Sequence, residues 1–201
     1  MTQKRQVFED SAADYDRWFD DHAGVYRAQL RLLGRAVPHH GSGLEVGVGS
    51  GRFAAPLGIR CGIDPSVSLA VMARGRDIEV VVGCGEHLPY RSGTFDYALL
   101  MTVICFIDRI GEVFREVYRV LDPSGIIVLG FLEQGGEIYQ HYHAEPEKGR
   151  FLRHARFFTT DNVIRELRNA GFSAVEVTMQ SHGFCVLTGR RGDSCTPQIP
   201  L

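Results

Sequence analysis

Short apolar runs separated by amphipathic segments dominate the middle of the chain. Leu44–Val48, Ile59–Ile63, Ile78–Val82, Phe95–Val103 and Ile126–Phe131 read as strands. The fourth is apolar almost throughout, as expected of a strand covered on both faces. Between them, Arg52–Leu57, Val67–Arg74 and Ile110–Leu121 carry helical spacing, with Val113, Val117 and Val120 or Leu121 on one stripe of the last. Strands alternating with helices predict an α/β fold, a mostly parallel sheet with helices on both faces.

The ends depart from this rhythm. Residues 6–37 have a helical pattern, with Asp10 or Ser11 as a cap, Tyr15, Trp18 and Phe19 in the first part and Tyr26, Leu30 and Leu33 on one face of the second. Residues 38–43 read as a loop, and Asp122–Gly125 as a turn. Residues 133–156, rich in Gly, His, Tyr and charge, read as an insertion or short helix. A helix capped by Thr160 or Asp161 then runs to Ala170 and is closed by Gly171. Ala174–Met179 and Phe184–Thr188 read as a final antiparallel pair, followed by a polar tail over 190–201.

Composition narrows the class. The 201 residues suit one domain, with 44% hydrophobic and 23% charged residues. A formal net charge of −2 argues against a nucleic-acid binder. No apolar run reaches the roughly 20 residues that span a bilayer, and the polar start lacks a signal peptide's apolar core. The expectation is therefore a cytoplasmic protein without membrane insertion, monomeric or homodimeric. Cys61, Cys84, Cys105, Cys185 and Cys195 form no Cys-x-x-Cys pair, which favours reduced, packed thiols and no metal site.

The candidate chemistry lies at the strand ends, where a sheet of this kind binds its ligand. Gly47, Gly49 and Gly51 follow the first strand, a turn that lets a nucleoside approach the backbone. The dinucleotide fingerprint requires its third glycine at position 52, which is arginine. Glu45 would also repel a pyrophosphate and attract a cationic ligand. S-adenosylmethionine, with its amino acid end, sulfonium and ribose, fits those charges. Asp64 follows the second strand, placed to accept hydrogen bonds from ribose hydroxyls or to cap the next helix.

Five motifs occur in a fixed order: Glu45-Val46-Gly47-Val48-Gly49-Ser50-Gly51, Gly62-Ile63-Asp64-Pro65-Ser66, Gly83-Cys84-Gly85-Glu86-His87-Leu88-Pro89-Tyr90, Phe95-Asp96-Tyr97-Ala98, and Arg115 through Gly125. Over about 40–190 the chain resembles the class I S-adenosylmethionine-dependent methyltransferases, in particular the small-molecule "type 11", menaquinone-methyltransferase-like group. The resemblance implies a seven-stranded Rossmann-like sheet of order 3-2-1-4-5-7-6 with one antiparallel strand. It implies an N-terminal helical lid over 1–40, a catalytic domain over 41–190 with 133–156 as substrate-side insertion, and a loose tail over 191–201.

By motif position, Glu45, Gly47 and Gly49 would hold the methionine part, and Asp64, with Pro65 and Ser66 beside it, the ribose. Cys84, Gly85 and Glu86 would lie along the adenine, and Met101 and Thr102 beneath the sulfonium. The family often has Asp-Ala at Cys84-Gly85, and a thiol is a weak acceptor for the adenine amino group. Tyr15 would reach the cofactor's amino acid end, with Trp18 and Tyr26 as further lid aromatics. His141, His143 and Tyr15 are the candidate catalytic groups. Lys148, Arg150, Arg153 and Arg156 would meet an anionic acceptor or simply form a solvated face. The expected function is methyl transfer to a small-molecule acceptor by in-line displacement. A non-catalytic cofactor-binding protein and an NAD-dependent oxidoreductase are the alternatives.

Overall fold

The computed structural model describes residues 3–144 and 150–192. Three helices, α1 (Gln3–Asp10), α2 (Ala12–Asp21) and α3 (Ala23–Leu33), precede the sheet. The order then runs β1 (Gly43–Val46), β2 (Cys61–Asp64), α4 (Val67–Arg74), β3 (Glu79–Val82), β4 (Phe95–Met101), α5 (Ile110–Val120) and β5 (Leu121–Leu132). It closes with α6 (Glu137–Ala144), α7 (Thr160–Asn169), β6 (Phe172–Ser181) and β7 (Phe184–Arg191). The sheet order is β3-β2-β1-β4-β5-β7-β6, as the resemblance implies. The first five strands pair in parallel, and β7 runs antiparallel to both β5 and β6. Reversal of order at β1 and β4 opens a crevice at their carboxyl ends.

Alternation along the strands builds two cores. Leu44 and Val46 of β1 face one side, where the apolar stripe of α5, including Val113, Phe114 and Val117, packs with Val163 and Leu167 of α7. The other face receives Phe19 of α2, Leu33 of α3, and Ala70 and Ala73 of α4 against Tyr97, Leu99 and Met101 of β4. Helices α2 and α3 are thus part of the second core. Among the described residues, no helix is long and apolar enough to cross a membrane.

Several local expectations are corrected. Residues 6–37 hold three helices, not two. Ser11 stands before α2, but its side chain makes no capping hydrogen bond. The cap of α7 is Thr159, which accepts from the Asn162 N–H at 3.3 Å, because the Thr160 hydroxyl is committed to Glu133 at 2.6 Å. The turn at Asp122–Gly125 lies within β5 as an irregularity, where pairing with β4 jumps from Leu121 to Ile126.

Arg52–Leu57 does not form the expected helix. Ala55 N–H reaches Gly51 O at 3.1 Å and Leu57 N–H reaches Phe53 O at 3.2 Å, as in a helix. Pro56 has no N–H to give to Arg52 O, so the ladder breaks there. The Tyr26 hydroxyl of α3 supplies the missing donor to Arg52 O, at 2.5 Å. Tyr26→Phe is therefore expected to cost about 1 kcal/mol. The cost should shrink in the Pro56→Ala background, where the alanine N–H restores a donor. Urea unfolding of the four proteins of this double-mutant cycle measures the coupling.

Candidate functional site

One cavity lies at the crevice, and the ends of β1, β2, β3 and β4 all contribute to it. Gly47, Gly49, Asp64, Pro65, Ser66, Cys84, Gly85, Glu86, Met101 and Thr102 line it, with Tyr15 of α2 above. Every residue placed by motif on the cofactor therefore lines this cavity except Glu45, which lies just beneath it. Phe8 of α1 and Phe106, between β4 and α5, also line it. Sequence reasoning missed both. Phe8 precedes the first aromatic singled out for the lid, and Phe106 sits in the short 3-10 turn Ile104–Phe106 rather than in a motif.

Asp64 ties the site together. One of its carboxylate oxygens accepts from the Gly49 N–H at 2.8 Å, the other from the Ser66 N–H at 2.9 Å. These bonds join the turn after β1 to the turn after β2. Asp64 is buried, and desolvation raises its pKa against the pull of those two amides. Ser66 also caps α4, its hydroxyl accepting from the Leu69 N–H at 3.1 Å.

The glycines serve packing as much as ligand approach. Gly47 and Gly49 have φ of +76° and +53°, which side chains other than glycine's resist. A Cβ on Gly47 would meet Val103 Cγ2 at 2.3 Å, and one on Gly49 would press on the Tyr15 ring at 3.2 Å. Val103 reaches that place because Thr102 takes φ +49° and ends β4 two residues earlier than expected. A left-handed β-branched residue costs of order 1–3 kcal/mol and marks a site the surroundings over-determine. Gly85 makes room for Val46 and Val113, whose methyl groups would lie 2.8 Å and 3.1 Å from a Cβ there.

Glu45 is a buried carboxyl under the glycine turn, 2% exposed, and its Oε2 has no hydrogen-bond partner among the described residues. Burial raises its pKa well above the ordinary carboxylate range, the Ala54 N–H opposes the rise, and the charge of Asp64 adds to it. Buried acceptors of this kind call for a partner. A cationic group placed at the turn would supply one.

Tyr15 has its hydroxyl pushed well above the ordinary range, first by burial, then by Asp64 and Glu45. It stays protonated at neutral pH, so it presents a donor and an aromatic face rather than a base. The ring joins an aromatic roof, meeting Phe8 edge-on at 5.5 Å and Phe151 at 5.5 Å. The other two lid aromatics stand elsewhere. Trp18 stacks on His22 at 4.6 Å, and Tyr26 packs on Phe53 at 5.3 Å.

Arg52, the residue out of place for a dinucleotide turn, fastens α2 to that turn. Its guanidinium bonds both carboxylate oxygens of Asp16, at 2.8 Å and 2.7 Å, and both of Asp20, at 2.7 Å. Arg76 joins Asp16 at 3.0 Å and the Ser50 carbonyl at 2.7 Å. Burial opposes ionisation of Asp16, but these bonds outweigh it and hold its carboxyl well below the ordinary range.

The histidines do not join the cavity. His141 is exposed on α6, and the His143 side chain lies outside the described residues. Gly136, just before α6, packs against Gly183, where a Cβ would come within 2.6 Å of Cα, so α6 starts beside the β6–β7 hairpin. The basic residues do not converge. Arg150 pairs with Asp14 at 2.8 Å, Arg156 lies over the Phe158 ring at 5.1 Å, and Lys148 is outside the described residues. Among the described residues no three His, Cys, Asp or Glu side chains gather as metal ligands.

Residues 44–129 match the family profile described as "Methyltransferase domain". A crystal structure from Thermotoga maritima, described as a "SAM-dependent methyltransferase, possible histamine N-methyltransferase", superposes with a TM-score of 0.87 at 33% identity, covering 92% of this chain and 99% of that one. The chain belongs to the class I S-adenosylmethionine-dependent methyltransferases, type 11 group. The methyltransferase is also 34% identical to the malonyl-[acyl-carrier protein] O-methyltransferase of Geobacter sulfurreducens, over 86% of this chain and 71% of that one. An uncharacterized protein of Methanocaldococcus jannaschii is 36% identical over 86% of this chain and 83% of its own length. Membership decides among the three readings. The protein is an enzyme of this family, and its cofactor is S-adenosylmethionine.

The raised pKa of Glu45 has a signed consequence. A carboxyl whose folded pKa lies above its unfolded one favours folding while it is protonated in both states. That advantage is lost as pH rises from the unfolded value toward the folded one. The ligand-free protein should therefore lose more thermal stability than Glu45→Gln as pH rises through that window, since the variant keeps every other titrating group and lacks only this one. Melting temperatures of both proteins from acid to neutral pH test this.

Proposed function

We propose that this methyltransferase holds S-adenosylmethionine in the cavity at the ends of β1–β4 and passes its methyl to a small-molecule acceptor by in-line displacement. The observation that carries this is the convergence of Gly47, Gly49, Asp64 and the aromatic roof on one cavity, with the buried carboxyl of Glu45 in the strand that leads into it. Glu45 takes the cofactor's ammonium end, its unpartnered oxygen finding a charge partner there. Asp64 takes the ribose hydroxyls. Each of its oxygens uses one lone pair on a backbone amide and keeps another. Cys84, Gly85 and Glu86 run along the adenine, and Met101 and Thr102 lie under the sulfur.

S-adenosylmethionine supplies an electrophilic methyl on a cationic sulfur. The chain's own part is alignment and exclusion of water. Tyr15, Phe8 and Phe106 close the cavity with apolar faces, which suits a cation and keeps the methyl from hydrolysis. Holding nucleophile, methyl and sulfur in line can supply most of the acceleration, so an acceptor that is already nucleophilic needs no dedicated base. A small acceptor is favoured because the roof covers the crevice, and because the charge balance offers a nucleic acid little attraction.

Two measurements test the reading. Calorimetry should find that Asp64→Ala weakens S-adenosylmethionine binding by about 10- to 100-fold, the loss of charge-assisted hydrogen bonds. Cys84→Asp should leave affinity unchanged or raise it, and a large loss there would remove residue 84 from the adenine. Labelled-methyl transfer across a panel of metabolites, with tRNA and a protein extract as comparison, tests the acceptor class. Transfer confined to a macromolecule would overturn it.

A further inference from the structure

The roof over the cavity is held unevenly. On α2, Phe19 is buried and Asp16 and Asp20 share Arg52. On α1, Gln6 and Asp10 are exposed, and Val7, Phe8 and Glu9 are only half-buried. Beside the ring contacts of Phe8, the polar bonds that tie α1 to the domain among the described residues lie at one place. Glu9 accepts from the Ser66 hydroxyl at 2.6 Å, from the Ser68 hydroxyl at 2.7 Å and from the Ser68 N–H at 3.3 Å. These groups form the amino end of α4, where the helix dipole favours a carboxylate.

Ser66 makes this tie part of the site. It lines the cavity, gives its N–H to Asp64 and gives its hydroxyl proton to Glu9. The next residue back, Phe8, lies on the cavity with its ring 4.9 Å from Phe106 and stacked on Phe151 at 5.2 Å. Between α1 and α2 the backbone leaves helical geometry at Ser11, with φ −125° and ψ 28°. A short helix held by surface hydrogen bonds and one half-buried ring, and hinged at one residue, opens at lower cost than a helix that buries core side chains.

We propose that Glu9 is a positioning residue for methyl transfer: its carboxylate latches α1 over the cofactor, and latch opening sets how fast cofactor and product exchange. With the latch closed, Phe8 lies over the cavity and Ser66 is fixed beside Asp64. With it open, α1 swings at Ser11 and uncovers the adenosine side. The inference rests on the cavity being the cofactor site, and the test separates the two.

The test follows dissociation of labelled S-adenosylhomocysteine from the full chain, chased with unlabelled ligand, in wild type and variants. Glu9→Ala should raise the dissociation rate about tenfold, the loss of a charge-assisted hydrogen bond. Glu9→Gln, whose amide oxygen still accepts, should raise it less. Ser68→Ala should raise it alone but add nothing in the Glu9→Ala background, since both remove one interaction. Gln6→Ala, on the exposed side of α1, should match wild type, and the ligand-free melting temperature should hardly move in any of them. Wild-type dissociation in Glu9→Ala, or full additivity with Ser68→Ala, would overturn the latch while leaving the cavity assignment standing. Undiminished binding in Asp64→Ala would overturn the cavity assignment and the latch with it.

Discussion

A single buried carboxylate holds the functional end of the sheet in shape. Asp64 reaches back from β2 to the Gly49 N–H and forward to the Ser66 N–H, so two turns that share no strand become one surface. Both turns lack regular backbone partners at these positions, and a buried N–H without an acceptor is costly. An uncharged side chain of that length could satisfy one amide well, but not two from opposite sides. The carboxylate satisfies both and still presents unshared lone pairs to the cavity. The cap of α4 is Ser66 and not Asp64, whose structural part is to tie the two turns, and that part is compatible with the proposed ribose contact.

The N-terminal helices depend on that surface. Tyr15 sits over Gly49 at a distance where a Cβ would press on its ring. Arg52, directly after the glycine turn, binds Asp16 and Asp20 of the same helix. A turn built for a pyrophosphate would leave its helix amino end open to the ligand. Here that neighbourhood is occupied by an arginine, two aspartates and a tyrosine from the lid. The arginine that stands where a dinucleotide turn needs glycine is therefore also the attachment of the roof. The Tyr26 hydroxyl, filling the carbonyl that Pro56 leaves empty, belongs to the same attachment.

The sheet was readable because its strands are nearly continuous apolar runs, and the cavity because its residues follow strand ends in sequence. Elements whose form is set by partners far along the chain were not readable. Arg52–Leu57 has helical spacing, but Pro56 breaks the ladder and Tyr26 makes the break tolerable. Thr160 has the chemistry of a cap, yet Glu133 from β5 claims its hydroxyl. The segment Phe95–Val103 gives no sign that Thr102 turns left-handed, since that conformation goes with a contact between Val103 and Gly47, more than fifty residues back in the chain. Glu9 and Phe8 were missed because a polar helix at the chain's start offers no periodic signal, and their meaning lies in Ser66, Ser68 and Phe106.

The division of labour that results explains why no acid–base residue stands out. The cavity face built by the strand ends is firmly tied: its amides are held by Asp64, its glycines are wedged by Val103 and Ile78, and its underside is the packed contact with α5. The opposite face is a roof of rings from α1, α2 and the segment after β4, with Phe19 of α2 buried in the core and Phe8 of α1 only half-buried. Methyl transfer to a competent nucleophile needs alignment and dryness more than proton transfer. A rigid floor supplies the first and a closing roof the second. A catalytic base would be a third device, useful only for acceptors that must lose a proton. Under the proposed function, acceptor choice falls to the shape left between Thr102, Phe106 and the roof.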